Sequence, residues 1–140
     1  VLAEVDDIDV TKVDRLIACS GKVYYDLLNA RREHELNNVA IIRIEQLYPF
    51  PDAEMFSAIS CYQNLKEVIW CQEEPKNQGA WYNSQHRLRR VIDLIDNSLP
   101  LDFVGRRSSA APAAGYMALH LKQQEHLIAE ALGLPIPDEV

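Results

Sequence analysis

Short apolar segments rich in β-branched residues alternate along this chain with segments whose apolar residues repeat at helical spacing. The apolar segments read "RLIACS" at residues 15–20, "VAIIRIEQ" at 39–46, "EVIWCQ" at 67–72 and "LDFVG" at 101–105. Because each segment is apolar at consecutive positions, both faces of each predicted strand must be covered. The pattern therefore predicts an α/β fold, with a mostly parallel sheet and helices on both faces.

Four intervening segments are predicted to be helical. They are residues 21–36, a short segment bearing Met55, Phe56 and Ile59, residues 80–95, and residues 113–132. Gly133 and two prolines follow the last segment, as is typical of a helix end. At 140 residues, with no evident linker, the chain fits one domain. We place that domain at 15–134, after an extended lead-in at 1–14 and before a tail at 135–140.

Composition excludes several classes of protein. The formal net charge of −7 argues against a nucleic-acid-binding protein, so the basic segment "HRLRR" is interpreted as a solvated or ion-paired helix face. No segment approaches the ~20 consecutive apolar residues that span a bilayer, and the acidic opening "VLAEVDDID" does not resemble an export signal. Three cysteines without close pairing favour buried thiols in a reducing compartment.

Polar or turn-forming segments stand at the ends of the four predicted strands, namely "SGK", "EQLYP", "QEEPKNQG" and "GRRSS". Because the carboxyl ends of parallel strands meet at one edge of a sheet, we expect ligands to bind there. "CSGK" offers a helix start and a lysine to an anion, but it lacks the other residues of a P-loop, so a plain strand-to-helix turn is the favoured interpretation. The arginines of "GRRSS" suit a phosphate, a carboxylate or an ion pair between domains.

Glu73 and Glu74 are the strongest candidates for acid–base catalysis. In an extended segment consecutive side chains point to opposite faces, so these two cannot form a facing carboxylate pair. The chain has no nucleophile motif and no dinucleotide fingerprint, and its four histidines lack the spacing of metal ligands. We predict no catalytic residue and no metal site in this chain, and a polar contact role for the glutamates.

Four segments resemble the carboxyl-terminal domain of the thiamine-dependent first component of 2-oxoglutarate dehydrogenase complexes. They are "CSGKVYYDLL", "VAIIRIEQLYPFP", "WCQEEPKNQGAWY" and "GRRSSAAPAAGYMALHLKQQEHLIAEAL". "EEPKNQGAW" and "GRRSSAAPAAGY" are the most discriminating, because related transketolase-type domains carry a shorter glutamate–glycine pattern. The resemblance covers about residues 15–134, and it implies a fold similar to the transketolase carboxyl-terminal domain and a lead-in from a preceding domain.

The resemblance implies that the complete protein is an oxidoreductase of the tricarboxylic acid cycle. Such enzymes decarboxylate 2-oxoglutarate on thiamine diphosphate and magnesium, then transfer the succinyl group to the lipoyl arm of a partner acyltransferase. The family's cofactor-binding signature, catalytic histidines and activating glutamate are missing from this chain, so upstream domains are implied to bind the cofactor. This domain alone is implied to be inactive and to contribute to a homodimer in bacterial cytoplasm or mitochondrial matrix.

The resemblance also suggests two kinds of site. Some relatives bind an acyl-coenzyme A or nucleotide effector on or beside this domain. Because the matching segments share a strand-end location, we hypothesise that the phosphate contacts here are Ser20, Gly21, Lys22, Arg106, Arg107 and Ser108. We expect contacts with other domains or subunits at Glu73, Glu74, Gln78, Trp81 and Tyr82, although core packing is the alternative for Trp81. Two other functions fit the residues, namely a stand-alone module that binds a phosphorylated or acylated metabolite and a small enzyme that uses Glu73 or Glu74.

Overall fold

The computed structural model describes residues 1–106 and 116–137. Its four strands form one parallel sheet in the order β2-β1-β3-β4, which confirms the α/β prediction. None of the helices within the described ranges is long and apolar enough to cross a membrane. The elements are β1 (Arg15–Cys19), α1 (Val23–Glu33), β2 (Val39–Arg43), α2 (Asp52–Ser60), β3 (Glu67–Cys71), α3 (Trp81–Ile95), β4 (Leu101–Val104) and α4 (Tyr116–Leu132), with a short 3-10 turn at Val10–Lys12.

Both faces of the sheet are buried, as the apolar strands require. On one face Leu16 and Ala18 of β1 join a core cluster that includes residues of α2 and α3. On the other face Ile17 lies opposite Ile41 and Ile69, in a cluster with residues of α1 and α4. Two apolar layers therefore share the central strands, which is why consecutive positions of β1 to β3 are apolar.

Several predicted boundaries differ from the structure, and β1, β3 and β4 each end one residue earlier than predicted. β2 ends at Arg43 rather than Gln46, because its neighbour β1 ends at Cys19, the residue that pairs with Arg43. α1 is shorter than predicted at both ends. It begins only after Gly21, whose φ is +85°, and it ends before Glu35, whose φ is +50°. The predicted start of the last helix, residues 113–115, lies outside the described residues.

The first six residues attach to the edge of β2. Leu2 forms an antiparallel bridge with Arg43. Arg31 of α1 is only 2% exposed, and its guanidinium binds both carboxylate oxygens of Glu4 and lies 2.7 Å from Asp6. Hydrogen bonds from Arg32 and Arg31 lower the pKa of Asp6 to about 2. This ion cluster holds the amino-terminal segment against the sheet, whereas the predicted division at residues 14 and 134 stays a prediction.

Replacing Arg31 with methionine should lower the free energy of unfolding by about 3–5 kcal/mol, because it leaves the buried carboxylate of Glu4 with backbone donors but without a positively charged partner. The matched change Arg32→Met removes a half-exposed arginine from Asp6, and we expect it to cost less than about 1 kcal/mol. Urea unfolding measures the free energy of unfolding of both variants and of the unchanged protein. Equal losses in the two variants would show that the buried cluster does not stabilise the fold.

Candidate functional site

The carboxyl ends of β1, β3 and β4 bring three predicted segments to one edge of the sheet. β1 lies between β2 and β3, so the chain crosses from β1 to one neighbour and later returns to the other side. Such a reversal opens a crevice beyond the strand ends, where α/β proteins commonly bind ligands. Ser20–Lys22 follow β1 and residues 72–79 follow β3, so these two segments flank the crevice.

Lys22 is exposed and lies between two carboxylates. Its Nζ is 3.2 Å from Oδ2 of Asp26 and 3.8 Å from Oε1 of Glu73. The hydrogen bond to Asp26 and the charge of Glu73 raise the pKa of Lys22. Oε1 of Glu73 is shielded from solvent and accepts no hydrogen bond within the described part of the chain. The lysine therefore serves as the counter-ion of this glutamate in the structure.

Arg106 reaches across the same edge to α4. Its guanidinium donates to Oε1 of Gln124, to Oε1 of Gln123 at 3.3 Å and to the carbonyl of His120 at 3.4 Å, and it lies 3.1 Å from the His120 ring. Gln124 in turn donates to Asp26 at 2.9 Å. Hydrogen bonds thus connect Arg106 to the acid that holds Lys22. Two further predicted effector contacts, Arg107 and Ser108, lie outside the described residues.

Gly21 allows the chain to turn from β1 into α1. Its φ of +85° is a conformation that other residues rarely adopt. A Cβ added at this position would meet nothing within 4 Å, so the space beside it is open. The "SGK" segment therefore leaves room at the crevice, and its glycine serves backbone conformation rather than close packing.

The turn after β3 is organised by the buried side chain of Gln72. Its Oε1 accepts hydrogen bonds from the indole nitrogen of Trp70 at 2.9 Å and from the backbone nitrogen of Trp81 at 3.0 Å. Its Nε2 donates to three backbone carbonyls of the turn, those of residues 74, 75 and 78, at 2.7–3.2 Å. One amide group thereby hydrogen-bonds to five polar groups of the strand end, the turn and the helix start.

Sequence reasoning missed Gln72. The available signal was a polar residue directly after an apolar strand, before a turn with many backbone groups to satisfy. The polar segment predicted between this strand and the next helix does form a turn, in which Gly79 has a φ of +67°, and Trp81 begins α3. The strand ends at Cys71, one residue earlier than the predicted Gln72, whose backbone nitrogen still donates to the carbonyl of Val104 at 3.0 Å.

The predicted contact residues divide into buried and exposed groups. Trp81 is 7% exposed and packs against Phe103, with 5.4 Å between ring centroids, so its side chain lies in the core. Tyr82, the next residue, is 66% exposed. Glu74 and Gln78 are also exposed, whereas Glu73 is only partly so. The surface that remains available to a partner is therefore Tyr82 with Glu74 and Gln78.

Metal ligands and thiols are two kinds of reactive group that can be assessed in the described part of the chain. Within residues 1–106 and 116–137, no three His, Cys, Asp or Glu side chains lie close enough to hold a metal ion. Cys19 and Cys71 are in register on β1 and β3, and burial raises the pKa of Cys19 to about 12 and that of Cys71 well above its ordinary value. Both stay thiols at neutral pH and are poor nucleophiles.

Replacing Gln72 with glutamate should lower the free energy of unfolding by about 3 kcal/mol or more, because a carboxylate cannot donate to the three carbonyls that Nε2 now serves. The control Gln78→Glu adds the same charge to an exposed side chain of the same turn, and we expect a change within about 0.5 kcal/mol. Urea unfolding can be followed by the fluorescence of Trp70 and Trp81. A small effect at Gln72 would contradict its organising role.

The chain is similar in sequence to proteins of one family. Residues 1–132 match the family described as 2-oxoglutarate dehydrogenase C-terminal. The chain is similar to the 2-oxoglutarate dehydrogenase E1 components of Azotobacter vinelandii (56% identity over 131 residues), Coxiella burnetii (55% over 133) and Haemophilus influenzae (51% over 132). Each alignment covers 94% of this chain but only 14% of the relative, so the chain spans about a seventh of their length.

Proposed function

The chain belongs to the 2-oxoglutarate dehydrogenase C-terminal family, and on that premise we propose that it is the carboxyl-terminal structural and interface domain of a 2-oxoglutarate dehydrogenase E1 component. In this proposal the complete enzyme, in bacterial cytoplasm or mitochondrial matrix, decarboxylates 2-oxoglutarate and transfers the succinyl group to the lipoyl group of a partner acyltransferase. The observation that carries it is the identity above 50% to three E1 components over 94% of the chain.

The described residues do not fit a site for thiamine diphosphate and magnesium. Such a site needs a cluster of oxygen ligands for the magnesium ion that the diphosphate binds. The described ranges contain no cluster of three metal-ligating side chains. We therefore assign cofactor binding and all bond-making steps to the upstream part of the complete enzyme.

The interface role rests on the rigidity of the β3–α3 turn. Five hydrogen bonds to Gln72 fix this turn before any partner is present. A surface that is already ordered loses little conformational entropy on binding. Tyr82 stands exposed on the first turn of α3, directly beside this rigid segment, and exposed tyrosines often carry much of the energy of a contact. We propose that it contacts an upstream domain or the other subunit of a homodimer.

Replacing Tyr82 with serine in the full-length enzyme should weaken that contact by about 1–3 kcal/mol, because a large buried aromatic surface is lost. The matched control is Tyr48→Ser, which removes a tyrosine that is 86% exposed on a different loop. Sedimentation equilibrium measures the dissociation constant of the dimer. Hydrogen exchange measures how well the backbone amides of residues 73–82 are protected from solvent. If both variants leave both measurements unchanged, Tyr82 is not an interface residue.

Activity tests the assignment as a whole. We expect the full-length protein, with thiamine diphosphate and magnesium, to reduce ferricyanide in the presence of 2-oxoglutarate and not with pyruvate. A full-length variant that lacks residues 15–134 should lose this activity, because the rest of the enzyme loses an interface. The 140-residue chain alone should be inactive. Turnover by that chain alone, or a preference of the full protein for pyruvate, would refute the proposal.

We further propose that the crevice edge binds an acyl-coenzyme A or nucleotide through its phosphate groups. Three observations support this proposal. Ser20, Gly21 and Lys22 lie at the reversal point of the sheet, the space beside Gly21 is open, and the side chains that Arg106 contacts within the described residues are amides and an imidazole rather than carboxylates. Phosphate would replace Asp26 and Glu73 as the partner of Lys22, and Arg107 and Ser108 join the proposal from sequence alone.

Isothermal titration of the full-length enzyme with acetyl-coenzyme A tests this site. Arg106→Ala and Arg107→Ala should each weaken binding about 10-fold or more, since charged hydrogen bonds contribute about 1.5–3 kcal/mol. The control Arg90→Ala removes an exposed arginine of α3 that pairs only loosely with Asp52, at 3.4 Å. Equal binding by both test variants and the control would remove those arginines from the site.

A further inference from the structure

The helices α1 and α4 lie on the same face of the sheet and form a groove between them. α1 contributes Asp26, Ala30 and Glu33, which share one face at i, i+4 and i+7 spacing. α4 contributes Leu121, Glu125, Ile128 and Ala129, which also share one face. We call this feature, with its end at residues 134–137, the α1–α4 groove. It holds a cavity of about 750 Å³, within the size range of ligand pockets.

The groove is apolar along its length and acidic on both walls. Ala30, Ile128 and Ala129 line it with little polar surface, and Leu134 closes one end. Along α4 the apolar surface continues outward through Leu121, which is 58% exposed, and Met117, which is 66% exposed. An exposed apolar strip of this kind beside a cavity is typical of a surface that another molecule covers.

Two carboxylates of the groove have no partner in the described part of the chain. Glu33 on α1 and Glu125 on α4 are exposed, and no hydrogen bond or ion pair joins either one to a described residue. Asp26, by contrast, is engaged by Lys22 and Gln124. The groove therefore presents two uncompensated negative charges on opposite walls.

We propose that the α1–α4 groove binds a peptide segment of a partner protein in which lysine or arginine flanks a large apolar side chain. The apolar side chain fills the cavity beside Ile128 and Ala129, while the basic residues pair with Glu33 and Glu125. A purely apolar occupant would leave these two carboxylates facing a dry contact, and a polyamine would leave the apolar lining in water. An amphipathic basic segment satisfies both features, as in helix-in-groove recognition.

This inference does not depend on the proposed enzymatic function. It rests on the charge and shape of two helices and concerns peptide binding, which is measured without substrate or cofactor. A full-length protein that failed to turn over 2-oxoglutarate could still bind the peptide, and the reverse also holds. The two proposals therefore fail separately.

The test uses the full-length protein and a library of random 12-residue peptides displayed on phage. The charge-reversed variant Glu33→Lys/Glu125→Lys replaces a negative charge with a positive charge on each wall of the groove. The matched control Glu45→Lys/Asp102→Lys makes the same change in net charge at two exposed acids that do not line the groove. A third variant, Ala30→Trp, fills the groove without changing its charge. Circular dichroism and thermal unfolding establish that each variant is folded before its binding is compared.

We expect the native groove to select peptides in which basic residues flank an apolar one. Their dissociation constants should rise about 10-fold or more in the charge-reversed and groove-filled variants and stay unchanged in the control. The charge-reversed protein should instead select acidic peptides with the same apolar residue. Selection of peptides without basic residues, binding that falls equally in the control, or no enrichment at all would overturn the proposal. The last outcome includes occupation of the groove by another part of the protein or by a second copy of it.

Discussion

The carboxyl edge of this domain depends on one buried amide. Gln72 stands where an apolar strand must become a turn, and the backbone groups of that turn have no strand or helix to bond to. Its side chain supplies donors and acceptors in the positions required, so the turn is closed from within. The positions of Glu73, Tyr82 and the start of α3 all follow from it.

Apolar packing and paired polar side chains surround the side chain of Gln72 at this edge. Trp70 and Trp81 lie in the core and at the same time donate to Gln72, so the aromatic layer and the turn stabilise each other. Beyond them, Lys22 and Arg106 are tied to α1 and α4 through Asp26 and Gln124. Such an edge is ordered without a ligand, which agrees with the interface role proposed for it.

Much of the fold could be predicted because burial on both faces leaves a direct mark on sequence. The consecutive apolar residues of β1, β2 and β3 predicted a covered parallel sheet, and helical spacing located α3 correctly from Trp81 onward. The polar segment "QEEPKNQG" was correctly placed after a strand, and its Gly79 adopts a φ of +67° that favours glycine. The end of β2 could not be predicted, since it depends on where the neighbouring strand stops rather than on its own residues.

The sequence by itself determined the α/β class, the strand-end location of the polar segments and, through its resemblance, the family. Tertiary structure alone decided which polar residues meet. The side chain of Gln72 bonds to the backbone of the turn after β3. Arg31 forms a buried ion cluster with the amino-terminal carboxylates, and Glu33 and Glu125 lie on opposite walls of the α1–α4 groove. The physical reason is that apolar burial is non-directional and leaves a periodic pattern, whereas hydrogen bonds and ion pairs depend on distances between residues far apart in the chain.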